Sequence, residues 1–404
     1  MLKIGITGQS GFVGTHLFNT LGLYPEKYER VPFEDAFFAD ETRLNNFVQS
    51  CDVVVHLAAM NRHNDPQVIY ETNINLVKQL IKACEAANSI PHILFSSSIQ
   101  EERDNLYGKS KKEGRELLEQ LALKNNAQFT GLVIPNVFGP FGQPYYNSVV
   151  ATFSHQITHN EIPVIEVDSE IKLIYVGELV EIILEKISGT QITQLVPIYR
   201  EIEQMNTTCP ETTGGKIIEN PSRQYNPCYI SHTATIKVSA LLHKLHEFKA
   251  NYLEKGIIPC LDDPFEKNLF NTFLCFIDHA TFFPFKLKLN TDERGSFVET
   301  IKLNSGGQVS FSTTVPGITR GNHFHTRKTE RFAVIKGKAR IEIRRIGTDK
   351  VLSFELDGRQ PSFVDMPVWF THNITNIGDE ELYTIFWINE YYNPGDPDTF
   401  MEIV

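Results

Sequence analysis

An α/β domain followed by an all-β domain is the fold class that the sequence predicts, from three observations. The chain opens with an apolar strand, a glycine turn and a helical pattern, and strands alternate with helices as far as Ile134. That is the order of a Rossmann-like, doubly wound parallel sheet. From Phe285 onwards the pattern changes to short alternating runs divided by Gly, Asn and Asp, the mark of an antiparallel sandwich or barrel. With 404 residues, 41% of them apolar, the chain can fill two or three cores.

Taken in order, Leu2–Ile6 reads as a strand that runs into Thr7-Gly8-Gln9-Ser10-Gly11-Phe12-Val13-Gly14, with a helix from Thr15. Glycines at 8, 11 and 14 between strand and helix let the backbone approach a pyrophosphate at the helix N-terminus. A glycine turn without a ligand is the alternative. The second strand, Tyr28–Phe33, should end near an adenosine ribose. Glu29, Arg30 and Glu34 are all close by, so NADH and NADPH both stay open at this point. Ala39-Asp40-Glu41-Thr42 precedes a short helix, and Asp52–Ala59 is a buried strand ending in Leu57-Ala58-Ala59. His56 is expected to be a strand-end histidine, and Asn73 to lie early in a helix over Tyr70–Ala86, near the site.

A strand over Ile90–Phe95 delivers Ser96-Ser97-Ser98, followed by Tyr107-Gly108-Lys109-Ser110-Lys111. On a helix, Tyr107 and Lys111 share one face a turn apart. The ammonium favours the phenolate and so lowers a phenol pKa that is ordinarily near 10. Such a tyrosine can hand a proton to a carbonyl oxygen, which a serine hydroxyl could hold from the other side. Strand Gln128–Ile134 then leads to Pro135-Asn136-Val137-Phe138-Gly139-Pro140. Gly189–Ser231 is polar and turn-rich, and is read as a loop or insertion. Ile236–Tyr252 returns to helical spacing. His243 and His246 on it lack further ligands and should face solvent. Asp278-His279-Ala280-Thr281 is expected to be a linker between domains at 1–282 and 283–404.

In the second domain, His323-x-His325 on a strand would point both imidazoles to one face. Glu330 and His372 complete a set of three nitrogens and one carboxylate that suits Zn²⁺ or another divalent first-row metal. A net charge of −11 argues against nucleic acid as a partner, and no apolar run is long enough to span a membrane. Six cysteines without CxxC spacing, and an N-terminus unlike a signal peptide, fit a cytoplasmic protein.

Thr7-Gly8-x-x-Gly11-Phe12-x-Gly14, His56-Leu57-Ala58-Ala59, the serine triplet, Tyr107-x-x-x-Lys111 and Pro135–Pro140 occur in the order found in extended short-chain dehydrogenases/reductases acting on sugar nucleotides. The chain resembles that family, but where the family has an acidic pair it reads Val176-Gly177-Glu178. His323-x-His325, Glu330, Gly337, and Pro367–His372 with Asn376 resemble the two motifs of a cupin, with Trp369 in place of the usual glycine. The two together, with Asp292–Phe297, Gly317–His323, Thr371–Ile374, Trp387–Glu390 and Pro397–Thr399, resemble the capsular polysaccharide assembling enzymes of the CapF family.

The resemblance implies that Ser98, Tyr107 and Lys111 are catalytic, and that Ser98 and Asn136 meet the substrate. It implies NADPH held by Gly8, Ser10, Gly11, Phe12, Val13, Gly14, Asp40, Leu57, Ala58, Ala59, Asn73, Tyr107 and Lys111. It further implies one zinc ion on His323, His325, Glu330 and His372, and a homodimer. The implied substrate is a UDP-linked 4-keto-6-deoxy amino sugar, UDP-2-acetamido-2,6-dideoxy-β-L-arabino-hexos-4-ulose. The cupin would epimerise it at C3, and the first domain would reduce it at C4 to UDP-N-acetyl-6-deoxy-L-talosamine.

Overall fold

The computed structural model describes residues 1–189, 226–293 and 295–404. The Gly189–Ser231 segment falls outside them from 190 to 225, as does Arg294. Two compact units emerge: Met1–Val137 with Lys172–Thr235, and Phe138–Ile171 with Ile236–Val404. Residues 138–171 and 236–282, which the sequence assigns to the first domain, thus group with the C-terminal sheets.

In the first unit β1 (Leu2–Thr7), α1 (Phe12–Leu21), β2 (Tyr28–Val31), α2 (Glu41–Gln49), β3 (Val53–His56), α3 (Pro66–Ala86), β4 (His92–Ser98), α4 (Leu106–Lys124) and β5 (Phe129–Ile134) alternate. The strands form a parallel sheet in the order β2-β1-β3-β4-β5, extended by Cys228–Tyr229. Val53 and Val55 pack with Ile4, Ile6 and Leu17 on one face, and Val54 with Phe47, Val48 and Leu80 on the other. Burial on both faces is why β3 reads as a continuous apolar run rather than an alternating one. Strand order reverses between β1 and β3, and open α/β sheets bind ligands at such a switch point, beyond the strands' carboxyl ends. Asn105 starts α4 by accepting from the Gly108 N–H at 2.7 Å, which fixes Tyr107 in the first turn.

In the second unit two five-stranded antiparallel sheets carry the C-terminal residues. One orders Phe285–Lys286, Ser362–Met366, Glu330–Lys336, Leu382–Ile388 and Gln308–Thr314. The other orders Val351–Asp357, Lys338–Arg345, Phe370–Asn376, Thr319–Phe324 and Phe400–Met401. Val364 and Met366 of the first share a core with Ile341, Ile343 and Ile374 of the second.

On the first sheet the cross-strand neighbours Arg331 and Asp365 are both buried. The guanidinium donates twice to the carboxylate, at 2.7 and 2.8 Å, and to the Gly256 carbonyl at 2.6 Å, while the Tyr252 hydroxyl donates to Asp365 at 2.5 Å. A buried charge is tolerated only when paired in this way. The network also ties Tyr252, in a π-helical turn (Lys249–Leu253) after the helix Val238–Phe248, to the sheet. Within the expected linker Asp278–Thr281 one side chain is buried. His279 begins a short helix (His279–Phe282), is buried, and packs edge-on to Phe370 while stacking on Phe283. Three phenylalanines in the next residues, Phe282, Phe283 and Phe285, pull this stretch into the apolar cluster.

Candidate functional site

At the end of β1 the glycine turn is built for close approach. Gly8 has a φ of +71°, and a Cβ there would lie 2.8 Å from the Ala58 nitrogen. A Cβ on Gly14 would lie 2.2 Å from the Gly8 carbonyl oxygen. Gly11 is the N-cap of α1 and has no side chain to occupy the helix end, which leaves a concavity suited to phosphate. Leu57 and Ala58 follow β3 against β1: the Leu57 N–H donates to the Thr7 carbonyl at 3.1 Å. The Thr7 hydroxyl bonds His56 Nδ1 at 2.6 Å. Burial first, and the charge of Lys111 second, push His56 down to about 3, so the ring is a neutral strand-end group.

Beyond β2, Asp35 stands near the turn, accepting from the Ser10 hydroxyl at 3.5 Å. Arg30 turns to α1, donating to the Phe18 carbonyl at 3.3 Å with its guanidinium 4.3 Å from the Phe18 ring. Asp40 caps α2, accepting from the Arg43 N–H at 3.1 Å. Asn73 is buried with its amide engaged: Oδ1 accepts from the Met60 N–H at 2.7 Å, and Nδ2 donates to the Met60 carbonyl and the Ser110 hydroxyl, both at 3.1 Å. It therefore holds the segment after β3 against α4 through its whole amide.

The serine triplet divides three tasks. The Ser96 carbonyl accepts from Lys111 Nζ at 2.9 Å. The Ser97 hydroxyl donates to Glu101, whose carboxylate also takes Arg115, at 2.8 and 3.2 Å. Ser98 caps the turn Ile99–Glu102 by accepting from the Gln100 N–H at 3.2 Å, which leaves its own hydroxyl proton to donate. Lys111 is buried, with Nζ 5.9 Å from the Tyr107 ring centre, and burial holds its pKa down to about 8. Gly108 allows α4 to sit close to that turn, since a Cβ there would fall 2.0 Å from the Gln100 carbonyl. Lys111 Nζ thus stands between the Tyr107 ring and the Ser96 carbonyl at the carboxyl end of β4, the strand end that also bears Ser98.

Asn136 is exposed, and its amide donates to the Lys172 carbonyl at 3.2 Å. At the departure from the family's acidic pair, Glu178 forms a capping box with Tyr175 and accepts from the Thr233 hydroxyl at 2.6 Å. That single carboxylate has a structural task.

In the second unit His323, His325, Glu330 and His372 come together, with one donor atom from each inside a 4.8 Å span. Glu330 Oε2 lies 3.1, 3.4 and 4.0 Å from the Nε2 atoms of His372, His325 and His323. Tetrahedral zinc with ligands near 2.1 Å would set them roughly 3.4 Å apart. Two consecutive positive-φ residues, Gly321 at +102° and Asn322 at +57°, make a bulge that aims His323 inward. His325 Nδ1 faces the Asp398 carbonyl at 2.5 Å and His372 Nδ1 faces that of Phe370 at 3.2 Å, which turns both Nε2 atoms to the centre. His325 Nε2 is buried without a well-aligned hydrogen bond. Burial first, and the nearby His372 second, hold His323 at about 4; burial works against the Glu330 carboxylate, but the adjacent His325 and His372 rings hold its pKa well below the usual range. Three imidazoles and a carboxylate with their donor atoms this close together are a set that a divalent metal takes, so the residues fit. Trp369, in the glycine position of the cupin motif, takes a glycine-like φ of +63°, and its N–H donates to the His325 carbonyl at 2.8 Å.

His243 is exposed beside Glu247 and neighbours no further ligand group among the described residues. Sequence reasoning missed Thr7, Glu101 and the carbonyl of Ser96, whose roles depend on strand neighbours. It also missed Asp398, although Pro397–Thr399 stood out as a segment.

Residues 4–189 match the NAD dependent epimerase/dehydratase family, and residues 290–400 match the polysaccharide biosynthesis C-terminal domain. The chain is 32% identical over 403 residues to a UDP-2-acetamido-2,6-beta-L-arabino-hexul-4-ose reductase of Pseudomonas aeruginosa, covering 99% of this chain and 98% of that one. It is similar to the crystal structure of the capsular polysaccharide assembling protein CapF from Staphylococcus aureus, with 33% identity, 100% of each chain covered and a TM-score of 0.59. A shorter likeness, 26% over 123 residues, links it to the spore coat polysaccharide biosynthesis protein SpsL of Bacillus subtilis, covering 28% of this chain and 82% of that one.

Proposed function

The chain belongs to the family of CapF and its reductase relatives, and from that premise we propose that it reduces the C4 ketone of a UDP-linked 2-acetamido-2,6-dideoxy hexos-4-ulose in capsule or O-antigen precursor synthesis. The observation that carries the reading is Lys111 Nζ, 2.9 Å from the Ser96 carbonyl and 5.9 Å from the Tyr107 ring centre, at the strand end that bears Ser98. NADPH held by the glycine turn would supply the hydride. Tyr107 gives the ketone oxygen its proton while Ser98 donates to the same oxygen. Lys111 keeps the phenol acidic, and its remaining ammonium protons are available to the nicotinamide ribose. The product is a 4-hydroxy sugar of the N-acetyl-6-deoxy-L-talosamine type. The choice of NADPH rests on the family, because Arg30 is engaged by Phe18 and the acidic Asp35 stands at the turn.

The second unit is proposed to epimerise C3 before reduction. A C4 ketone acidifies the neighbouring C3–H, and reduction then fixes the new configuration. His323, His325, Glu330 and His372 would hold one divalent ion, zinc by donor set, which supplies Lewis acidity or rigidity there. A cytoplasmic homodimer completes the proposal. The edge strand Gln308–Thr314 exposes Val309 and Phe311, at 55% and 61%, an apolar edge of the kind another chain covers. Among the described residues no helix is long and apolar enough to cross a membrane.

The deciding experiment is NMR of the 4-keto sugar nucleotide with full-length protein in D₂O, with and without NADPH. Exchange at C3 without NADPH, and a C4 carbinol with it, are expected. Reduction without prior exchange would leave a reductase whose second unit serves only in dimerisation.

A further inference from the structure

The segment Asp396–Thr399 takes no part in the chemistry above, yet it meets the metal centre at one residue. Asp398 is 4% exposed and has a φ of +41°, a conformation that a non-glycine residue holds only when its surroundings enforce it. Its carboxylate gathers the loop between the second and third ligands. Oδ1 accepts from the Thr326 N–H at 3.1 Å and the Thr326 hydroxyl at 2.6 Å, and Oδ2 from the N–H groups of Arg327 at 3.0 Å and Lys328 at 3.2 Å. Its own carbonyl, meanwhile, accepts from Nδ1 of His325 at 2.5 Å. The segment is pinned on both sides. Arg327 donates to the Asp396 carboxylate at 2.8 Å and Lys328 Nζ to the Pro397 carbonyl at 2.8 Å. After it, Phe400 and Met401 pair with Phe324 and His323.

We propose that Asp398 is a positioning residue for the divalent metal centre: its carboxylate clamps loop 326–328 so that its carbonyl fixes the tautomer and direction of His325. Two jobs meet in one residue because they share one geometry. The carboxylate sets where the backbone of 398 lies, and that backbone sets which imidazole nitrogen is free for the ion. Loss of an acceptor that orients a ligating histidine lowers metal affinity about 10- to 100-fold. In Asp398→Asn the amide N–H₂ group meets backbone N–H donors in either orientation, those of Arg327 and Lys328 or that of Thr326, which displaces the turn and with it the carbonyl.

The inference rests on the metal reading above, and the test separates the two. Zinc affinity of full-length wild type, Asp398→Asn and Thr326→Val is measured by competition with a chromophoric chelator, alongside thermal midpoints of the metal-free and zinc-loaded proteins. The expected result is zinc binding about 10- to 100-fold weaker in Asp398→Asn and several-fold weaker in Thr326→Val, with metal-free midpoints falling less than zinc-loaded ones. Wild-type zinc affinity in Asp398→Asn overturns the proposal while leaving the metal site intact. So does a metal-free midpoint that falls as far as the zinc-loaded one, because Asp398 would then serve the fold alone. If Asp398→Asn does not fold, Thr326→Val decides: weaker zinc binding, with the metal-free midpoint falling less than the zinc-loaded one, supports the clamp, and wild-type affinity overturns it. No zinc binding by the wild type would instead sink the metal reading itself.

Discussion

Lys111 sets the pH behaviour of the reductase site. Burial lowers its pKa to about 8, so the ammonium loses its proton as pH rises through that value. On the proposed mechanism the cation assists Tyr107 as proton donor, so kcat/KM for reduction should hold below about pH 8 and fall above it, as a rate profile of the free enzyme would reveal. Tyr107→Phe should lower NADPH oxidation by roughly 10²- to 10⁴-fold with circular dichroism unchanged, since only a proton donor is lost. A variant keeping most of the wild-type rate would remove Tyr107 from the mechanism. The placement of the two side chains together was legible because Tyr-x-x-x-Lys encodes its own geometry on a helix. The Ser96 carbonyl that holds Lys111 was not, since a backbone acceptor leaves no mark in residue type.

The glycine turn and the buried ion pair differ in what they tolerate. At Gly14 an alanine methyl would press on the Gly8 carbonyl and the Gln9 backbone, the latter at 2.9 Å, and backbone cannot swing aside. Gly14→Ala should cost about 1–3 kcal/mol in urea denaturation and weaken NADPH binding in a fluorescence titration. Asp365→Ala leaves the Arg331 guanidinium buried without its carboxylate, a loss of about 3–5 kcal/mol. Replacing both residues with Met and Leu should recover much of it. Strands were legible where one face is wet, as in Leu382–Ile388. Ser362–Met366 and Phe370–Asn376 escaped because both their faces are covered, which erases the period of two.

For the molecule as a whole, the sequence motifs and the contacts divide the chain differently. Motif order marks a change of chemistry near residue 282, whereas Tyr252 and Gly256 are bonded to Asp365 and Arg331. A fragment ending at 282 should therefore expose Tyr252 and the phenylalanines Phe270 and Phe273, all fully buried in the full chain. It should bind a hydrophobic dye that the full-length protein does not bind, and a fragment that binds none would mean that these contacts are dispensable. The division was not legible because the helix Val238–Phe248 shows which of its faces is apolar but not which neighbour covers it.

The chain enters its second unit twice, at Phe138–Ile171 and again from Ile236. Within that unit Arg345 stacks 3.6 Å from the Phe141 ring, and the Thr158 hydroxyl donates to the Phe276 carbonyl at 3.0 Å. For recombination between relatives this interleaving is a constraint. Any single crossover after Phe138 yields a second unit of mixed parentage, whose Phe141–Arg345 and Tyr252–Asp365 partners can descend from different parents. Offspring of three crossovers, exchanging 138–171 and 236–404 together, are the ones that should inherit both units intact, so the two blocks should vary in concert as these enzymes diversify.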